Sequence, residues 1–405
     1  MRFVSVFVFA AAIAAGAHPA GAQSLVKFAS FPADTFAPGP TSGQLIAPAN
    51  DRTPPFVGKQ PVQGISSILR SSNGDFLAMS DNGYGAKPNS PDYVLRVSRI
   101  HPDFRTAQGG TGTIAVTQEF ILSDPFNKVN FAIVAEAVNY PGSSIAVDPA
   151  IRNGRLLTGG DFDIESFREA HDGTYWFGDE FGPFLIHTDR LGRVLEAPIP
   201  LPGVQSPQNP FLGGAAFNLP GSKGFEGMAI APNSKTLYPM LEGALTTDSD
   251  QRRLVINEFD IERRAYTGRQ WNYRLESAAH SMGDLTAVNK NLMLVIERDN
   301  GQGTTAVFKR IYLVNLDEVG ADGFLVKHQV ADLMQLRDPN DLGGHGPTFT
   351  FPFQTIESVI PLSERELGVL DDNNYPFSSA RVPGQPDPNE FIVIRLDRPL
   401  QNLAR

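Results

Sequence analysis

The 405-residue chain contains no cysteine. Disulfide staples and every cysteine-nucleophile mechanism are therefore excluded, and core packing must hold the fold. Beyond the first residues there is no apolar run approaching the roughly 20 residues that a membrane helix needs. Basic residues are the minority, 34 Lys+Arg against 44 Asp+Glu, for a net charge of −10. That balance disfavours nucleic acid and anionic membrane surfaces as partners and suits cation binding. There is no G-x-S-x-G elbow, no H-E-x-x-H and no G-x-x-x-x-G-K-[ST], which removes the standard α/β-hydrolase, zincin and P-loop chemistries. Helical periodicity is scarce too, and its best stretch, Ala331 to Leu336, is short.

What is present is a globular composition, 41% hydrophobic and 19% charged. The opening "MRFVSVFVFAAAIAAGAHPAGAQS" has a basic Arg2, an apolar run and the small-residue site Ala20-Gly21-Ala22. It reads as a signal peptide over residues 1–22, leaving a single domain over 23–405 exported to the periplasm or the medium.

The 38 glycines and 32 prolines punctuate many short strand-like runs. In "FDIESFREAHDGTYWFGDEFG", Asp163 and Glu165 open the stretch, a His171-Asp172-Gly173 turn divides it, and Asp179 and Glu180 close an aromatic strand. The template recurs with Ser66 and Asp81, with Glu226 and Glu242, with Asp284 and Glu297, and with Glu357 followed by Asp371 and Asp372. A further strand follows each copy, beginning near Tyr93, Phe184, Arg253, Arg310 and Phe391. Five repeats of three or four strands read as an all-β fold, a β-propeller with antiparallel four-stranded blades. Residues 110–160 leave room for a degenerate sixth blade. "SLVKFASF" near the N-terminus is expected to close the ring against "EFIVIRL" near the C-terminus.

In a propeller, equivalent residues of successive blades converge on the channel mouth. Converging carboxylates repel one another unless a cation sits among them, and oxygen ligands select Ca²⁺ or Mg²⁺ over zinc. The expected ligands are Asp81, Asp179, Glu180, Glu226, Glu242, Glu297, Asp371 and Asp372, with Ca²⁺ the expected ion. Glu165 and Glu357 are alternates for ligand or general base, and His280, four residues before Asp284, is a candidate acid or base. Lys223 and Arg298 stand beside the acids, either as salt-bridge partners or as holders of an anionic substrate group.

"DGTYWFGDEFGPFLIHTDRLGRVL", "GFEGMAIAPNSKTLYPMLEGAL", "VIERDN" with "RIYLVNLDE", and "LDDNNYPF" resemble the phytase-like family, described as having esterase-like activity of phytase. The resemblance runs from about Gly64 to Leu396. It implies a β-propeller related to calcium-dependent phosphate-monoester hydrolases. Here the acids are spread one or two per blade, and Ser66 and Ser67 replace an acid in the first copy, so phytate itself is not implied. The expectation is an exported monomer that hydrolyses a small phosphoester or another small ester with Ca²⁺. Two alternatives stand beside it: a non-catalytic, calcium-stabilised binding propeller of the cell envelope, and a lactonase-like carboxylic ester hydrolase with few basic residues at its mouth.

Overall fold

The computed structural model describes residues 23–403 apart from residue 72. Blade one comprises strands Ile65–Arg70, Phe76–Ser80, Arg96–Asp103 and Thr113–Ile121. Blade two comprises Ile164–Glu169, Tyr175–Asp179, Phe184–Thr188 and the short Ile199–Pro200. Blade three comprises Phe225–Ile230, Thr236–Leu241, Arg253–Asp260 and Ala265–Arg274. Blade four comprises Ser281–Ala287, Leu292–Arg298, Lys309–Val319 and Leu325–Asp332. Blade five takes Thr355–Pro361, Glu366–Asp372 and Asn389–Arg395 from the C-terminal end of the chain, and its outer strand, Ser24–Phe31, from the N-terminal end.

The first strand of each blade lies beside the first strands of the blades before and after it, with blade five returning to blade one. Five strands thus surround a central channel. The expected closure is present: Ser24–Phe31 pairs antiparallel with Asn389–Arg395. No sixth blade lies between residues 110 and 160. Thr113–Ile121 completes blade one, and the connection that follows holds a one-turn 3₁₀ segment, Val134–Glu136, and the helix Pro149–Gly154. Ala331 to Leu336 is not helical either. Ala331 lies at the end of a strand, Leu333 and Met334 lie in the turn after it, and Leu336 opens a two-residue strand; Ala331, Leu333 and Leu336 face the core.

A propeller strand is covered on both faces, which is why the second strands read as continuous apolar runs instead of alternating ones. Leu294 packs toward blade five and its neighbour Val295 toward blade three. Trp176 likewise faces blade three, while Phe177 joins the core shared with blade one. Each of the five blade interfaces has its own apolar cluster.

One irregularity repeats in all five blades. Where the first strand pairs with the second, the register skips one residue of the first strand: Ser66, Glu165, Glu226, Gly283 and Glu357. Such a bulge re-aims a side chain and bends its strand. Here it turns one residue per blade toward the channel mouth. In blade four that residue must be glycine, because a Cβ on Gly283 would stand 2.1 Å from the Ile356 carbonyl oxygen.

Below the mouth the channel is blocked. Arg168 of blade two donates to Ser67 Oγ of blade one (2.8 Å), and to Asp284 Oδ1 (3.1 Å) and the Leu285 carbonyl (3.0 Å) of blade four. Blades two and four are not neighbours, so the guanidinium lies across the axis. Asp284 Oδ2 in turn accepts from the backbone N–H of Val359 in blade five (3.0 Å). Both side chains are about 95% buried, at 5% relative exposure.

Candidate functional site

Two tiers of side chains meet at the mouth. The lower tier comprises the bulged carboxylates Glu165, Glu226 and Glu357. The upper tier lies at or within two residues of the end of each second strand: Asn82, Glu180, Glu242, Arg298 and Asp372. Around them lies a cavity of about 200 Å³ lined by eight carboxylates, those of Asp81, Asp163, Glu165, Glu180, Glu226, Glu242, Glu357 and Asp372, against two cations, Lys223 and Arg298. A larger cleft, about 570 Å³ beside residues 200–218, has no titratable group in its wall. A cleft of about 670 Å³ between blades one and two carries Arg70, Arg99, Glu119, Glu169 and Arg190, but the mouth gathers the most carboxylates.

The two cations stand on one side. Arg298 Nη2 lies 3.1 Å from Glu357 Oε1 and 3.8 Å from both Glu226 Oε1 and Glu242 Oε1. Lys223 Nζ donates to Glu242 Oε2. Burial opposes both charges, but the surrounding carboxylates more than offset it and hold both groups above their ordinary values. The side formed by blades one and two has acids alone. There Asp163, Glu165 and Glu180 bring one oxygen each within 4.8 Å of one another, and Glu180, Glu226 and Glu242 form a second such triad. Glu180 belongs to both. Asp163 Oδ1, Glu165 Oε2, Glu180 Oε1 and Glu226 Oε1 are buried without a hydrogen-bond partner among the described residues.

Buried acids without donors resist ionisation. Burial first, and neighbouring carboxylates second, push Asp81, Glu165, Glu180 and Glu226 well above the usual carboxylate range. Burial pushes Asp163 up to about 6, and burial with a like charge nearby pushes Asp372 up to about 7 and Glu357 up to about 8. The sign for stability follows. Between pH 4 and 8 the folded protein holds protons that the unfolded chain has released, so stability falls as pH rises. In chelator, the melting temperature should drop steadily from pH 5 to pH 8. A flat profile would show that the mouth ionises as freely as the unfolded chain.

Of the sequence-predicted residues, Asp81, Glu165, Glu180, Lys223, Glu226, Glu242, Arg298, Glu357 and Asp372 line the cavity. Four others are placed elsewhere. Asp179 turns away and caps its own turn, accepting from the backbone of Asp163 (2.9 Å) and Gly182 (2.7 Å). Asp371 accepts from the backbone of Glu390 (2.6 Å). Glu297 points between blades, where it accepts from Tyr273 (2.9 Å), Lys327 (2.8 Å) and the Glu276 backbone (2.6 Å). His280 pairs with that same Glu297, Nδ1 to Oε1 2.9 Å, and packs on Phe308. The reason is strand alternation: in a pair such as Glu297-Arg298 only one member can face the channel. Asp284, the template's choice in blade four, is spent on Arg168. Asp163 and Asn82 line the mouth although the template gives them no role there. Aligned on the bulge, the spacing to the upper tier is 16, 15, 16, 15 and 15 residues in chain order, and that regularity is the signal that picks out Arg298 over Glu297, while in blade one it fits Asp81 and Asn82 alike.

The sequence profile described as "Phytase-like: Esterase-like activity of phytase" matches residues 60–375, which takes in four blades and the first two strands of the fifth. The chain belongs to the phytase-like family. Among curated proteins, an uncharacterized secreted protein of Arthroderma benhamiae is 27% identical over 135 residues, covering 28% of this chain and 26% of that protein. The match thus spans about a quarter of the relative's length. Among solved structures, a calcium-binding protein, regucalcin, from Agrobacterium tumefaciens is 12% identical with a TM-score of 0.39, covering 85% of this chain and 93% of that one. The PQQ-bound aldose sugar dehydrogenase of Streptomyces coelicolor is 10% identical with a TM-score of 0.37, over 90% and 99%. No helix among the described residues of this family member is long and apolar enough to cross a membrane.

Proposed function

We propose that this phytase-like protein is an exported, monomeric hydrolase of small esters, phosphoesters foremost, working with Ca²⁺ held at the channel mouth. The four carboxylate oxygens of Asp163, Glu165, Glu180 and Glu226 that lack a hydrogen-bond donor carry the reading, because buried carboxylates of these residues in two triads fit a hard divalent cation. Asp81, Glu242 and Asp372 complete the oxygen set around them. When bound, the ion would supply charge neutralisation and Lewis acidity at the ester oxygen.

The protein's own groups do the rest. Arg298 and Lys223, gathered beside Glu226, Glu242 and Glu357, hold the anionic group of the substrate and stabilise charge that develops on it. Their place in the wall favours a phosphoester over a lactone. Glu357 retains its proton near neutral pH and is placed to give it to a leaving oxygen, with Ser66 and Arg298 fixing its two carboxylate oxygens. A 200 Å³ chamber with a blocked floor suits a small head group. Export rests on the signal-peptide reading of residues 1–22, which lie outside the described residues, and the secreted relative supports it.

The test compares Glu226→Gln with Glu262→Gln. Glu262 sits on the outer rim, paired with Lys235 at 2.7 Å. Calcium at a hundredfold excess over its Kd should stabilise wild type by about 2.7 kcal/mol. Glu226→Gln should lose much of that rise in melting temperature together with ester turnover, and Glu262→Gln should keep both. A calcium response that vanishes in Glu226→Gln while no ester or phosphoester is turned over by wild type would leave the binding-propeller reading in its place. Equal responses in both variants would refute a metal at Glu226.

A further inference from the structure

A second unusual charge lies away from the mouth, between blades one and five. Arg96 is fully buried, at 0% exposure, yet none of its three side-chain nitrogens has a hydrogen-bond partner among the described residues, and no carboxylate pairs with it. The groups that favour its charge are the tyrosines Tyr93 and Tyr84, while burial opposes it. The loop at Gly39 lies within ordinary contact distance of it, a Cβ there standing 3.6 Å from Nη2, and the Tyr93 ring centroid is 5.9 Å from Cζ. Three more side chains on this interface carry partnerless polar atoms. Met79 pairs with Val97 and Ala78 with Ser98, so Ser80 lies beside Arg96 on the face that also carries Ser98, and both hydroxyls lack partners. That face, with Ala78 and Ile100, packs against Phe391 and Leu370 of blade five. Asn389, two residues before Phe391 and on the same side of its strand, is fully buried with both amide atoms unpartnered.

A guanidinium cannot shed its proton, and a buried charge without a counter-charge is among the costliest arrangements a fold can hold. Hydroxyls and a carboxamide are neutral donors that suit an anion and would not repel it. We infer that the interface between the first and last blades binds a small monovalent anion of chloride size, held by the Arg96 guanidinium with Ser80, Ser98 and Asn389 as neutral donors. Its position makes it a clasp on the ring where the two ends of the chain meet, separate from the cation site at the mouth.

The experiment uses calcium-saturated protein, so that the mouth is constant, in sodium chloride and in sodium gluconate at equal ionic strength. Chloride should raise the melting temperature of wild type by a few degrees, since a ligand of the folded state alone stabilises by mass action. Arg96→Met should abolish the difference between the two salts. Crystals grown in bromide should show anomalous density beside the Arg96 guanidinium. Equal melting in chloride and gluconate, or an undiminished difference in Arg96→Met, would overturn the inference. If Arg96→Met does not fold, the bromide density decides: a peak at Arg96 upholds the site, and no peak there overturns it.

Discussion

Arg168→Met should destabilise the protein by about 3–5 kcal/mol, the range expected when one partner of a buried ion pair is removed and the other is left charged and alone. The partner is Asp284, about 95% buried: burial pushes its carboxyl above the ordinary value even in the pair, and the Arg168 guanidinium is the main force opposing that rise. The same substitution also takes away donors to Ser67 and to the Leu285 carbonyl, loosening blades one, two and four from one another. Urea unfolding of wild type, Arg168→Met and the double variant Arg168→Met/Asp284→Asn measures it. The double variant should recover a good part of the loss, since neutralising Asp284 removes the stranded charge. A loss below about 0.5 kcal/mol, the scale of an ordinary surface change, would mean that the plug is decorative.

Glu180→Gln should have the largest effect on chemistry. Glu180 is the one carboxylate common to both oxygen triads, and its main chain is pressed against Gly224 of the next blade, where a Cβ would stand 2.5 Å from the Glu180 Cα. Its position is therefore fixed by backbone packing, and an amide of the same shape tests charge alone. Without metal Glu180 already tends to hold a proton, because burial and the nearby Glu242 push it up, so the variant should melt at or slightly above wild type in chelator. With calcium the order should reverse, and turnover of the best ester substrate should fall at least about 100-fold, the upper end of what losing even an outer-sphere metal partner costs. A merely structural Glu180 would lower the melting temperature equally in both conditions.

The repeats were legible because each blade carries its turn and its acid at nearly constant spacing, and the third strand of each blade lies close to where the apolar runs suggest. Which of two adjacent residues faces the channel was not. Parity is normally read from alternation of polar and apolar positions, but a strand covered on both faces has none to read. Glu297 was therefore expected at the mouth where Arg298 stands, and Asp284 where the bulge demands Gly283. A bulge leaves no composition signal in one copy; it shows only when five copies are aligned on it. The helical spacing at Ala331–Leu336 misled for a related reason, since a strand end, a turn and the start of the next strand can mimic it over six residues when Ala331, Leu333 and Leu336 all turn to one core.

The pairing of Ser24–Phe31 with Asn389–Arg395 joins segments more than three hundred residues apart, and the outer strand also touches blade one through a bridge from Ser30 to Thr113. Folding therefore ends with a long-range search. Among the strand pairings of the described residues the closing one has the highest sequence separation, the kind whose chain-entropy cost must be met before any of its stabilisation is gained, and which slows folding most. A chain that emerges N-terminus first holds its clasp ready long before the strand it fastens to exists. Until then the outer edge of blade five stays open, its N–H and C=O groups free to pair with another copy. The feature that makes the finished ring edgeless at this seam thus makes the unfinished one adhesive, and the time before closure is when the chain is most exposed to aggregation.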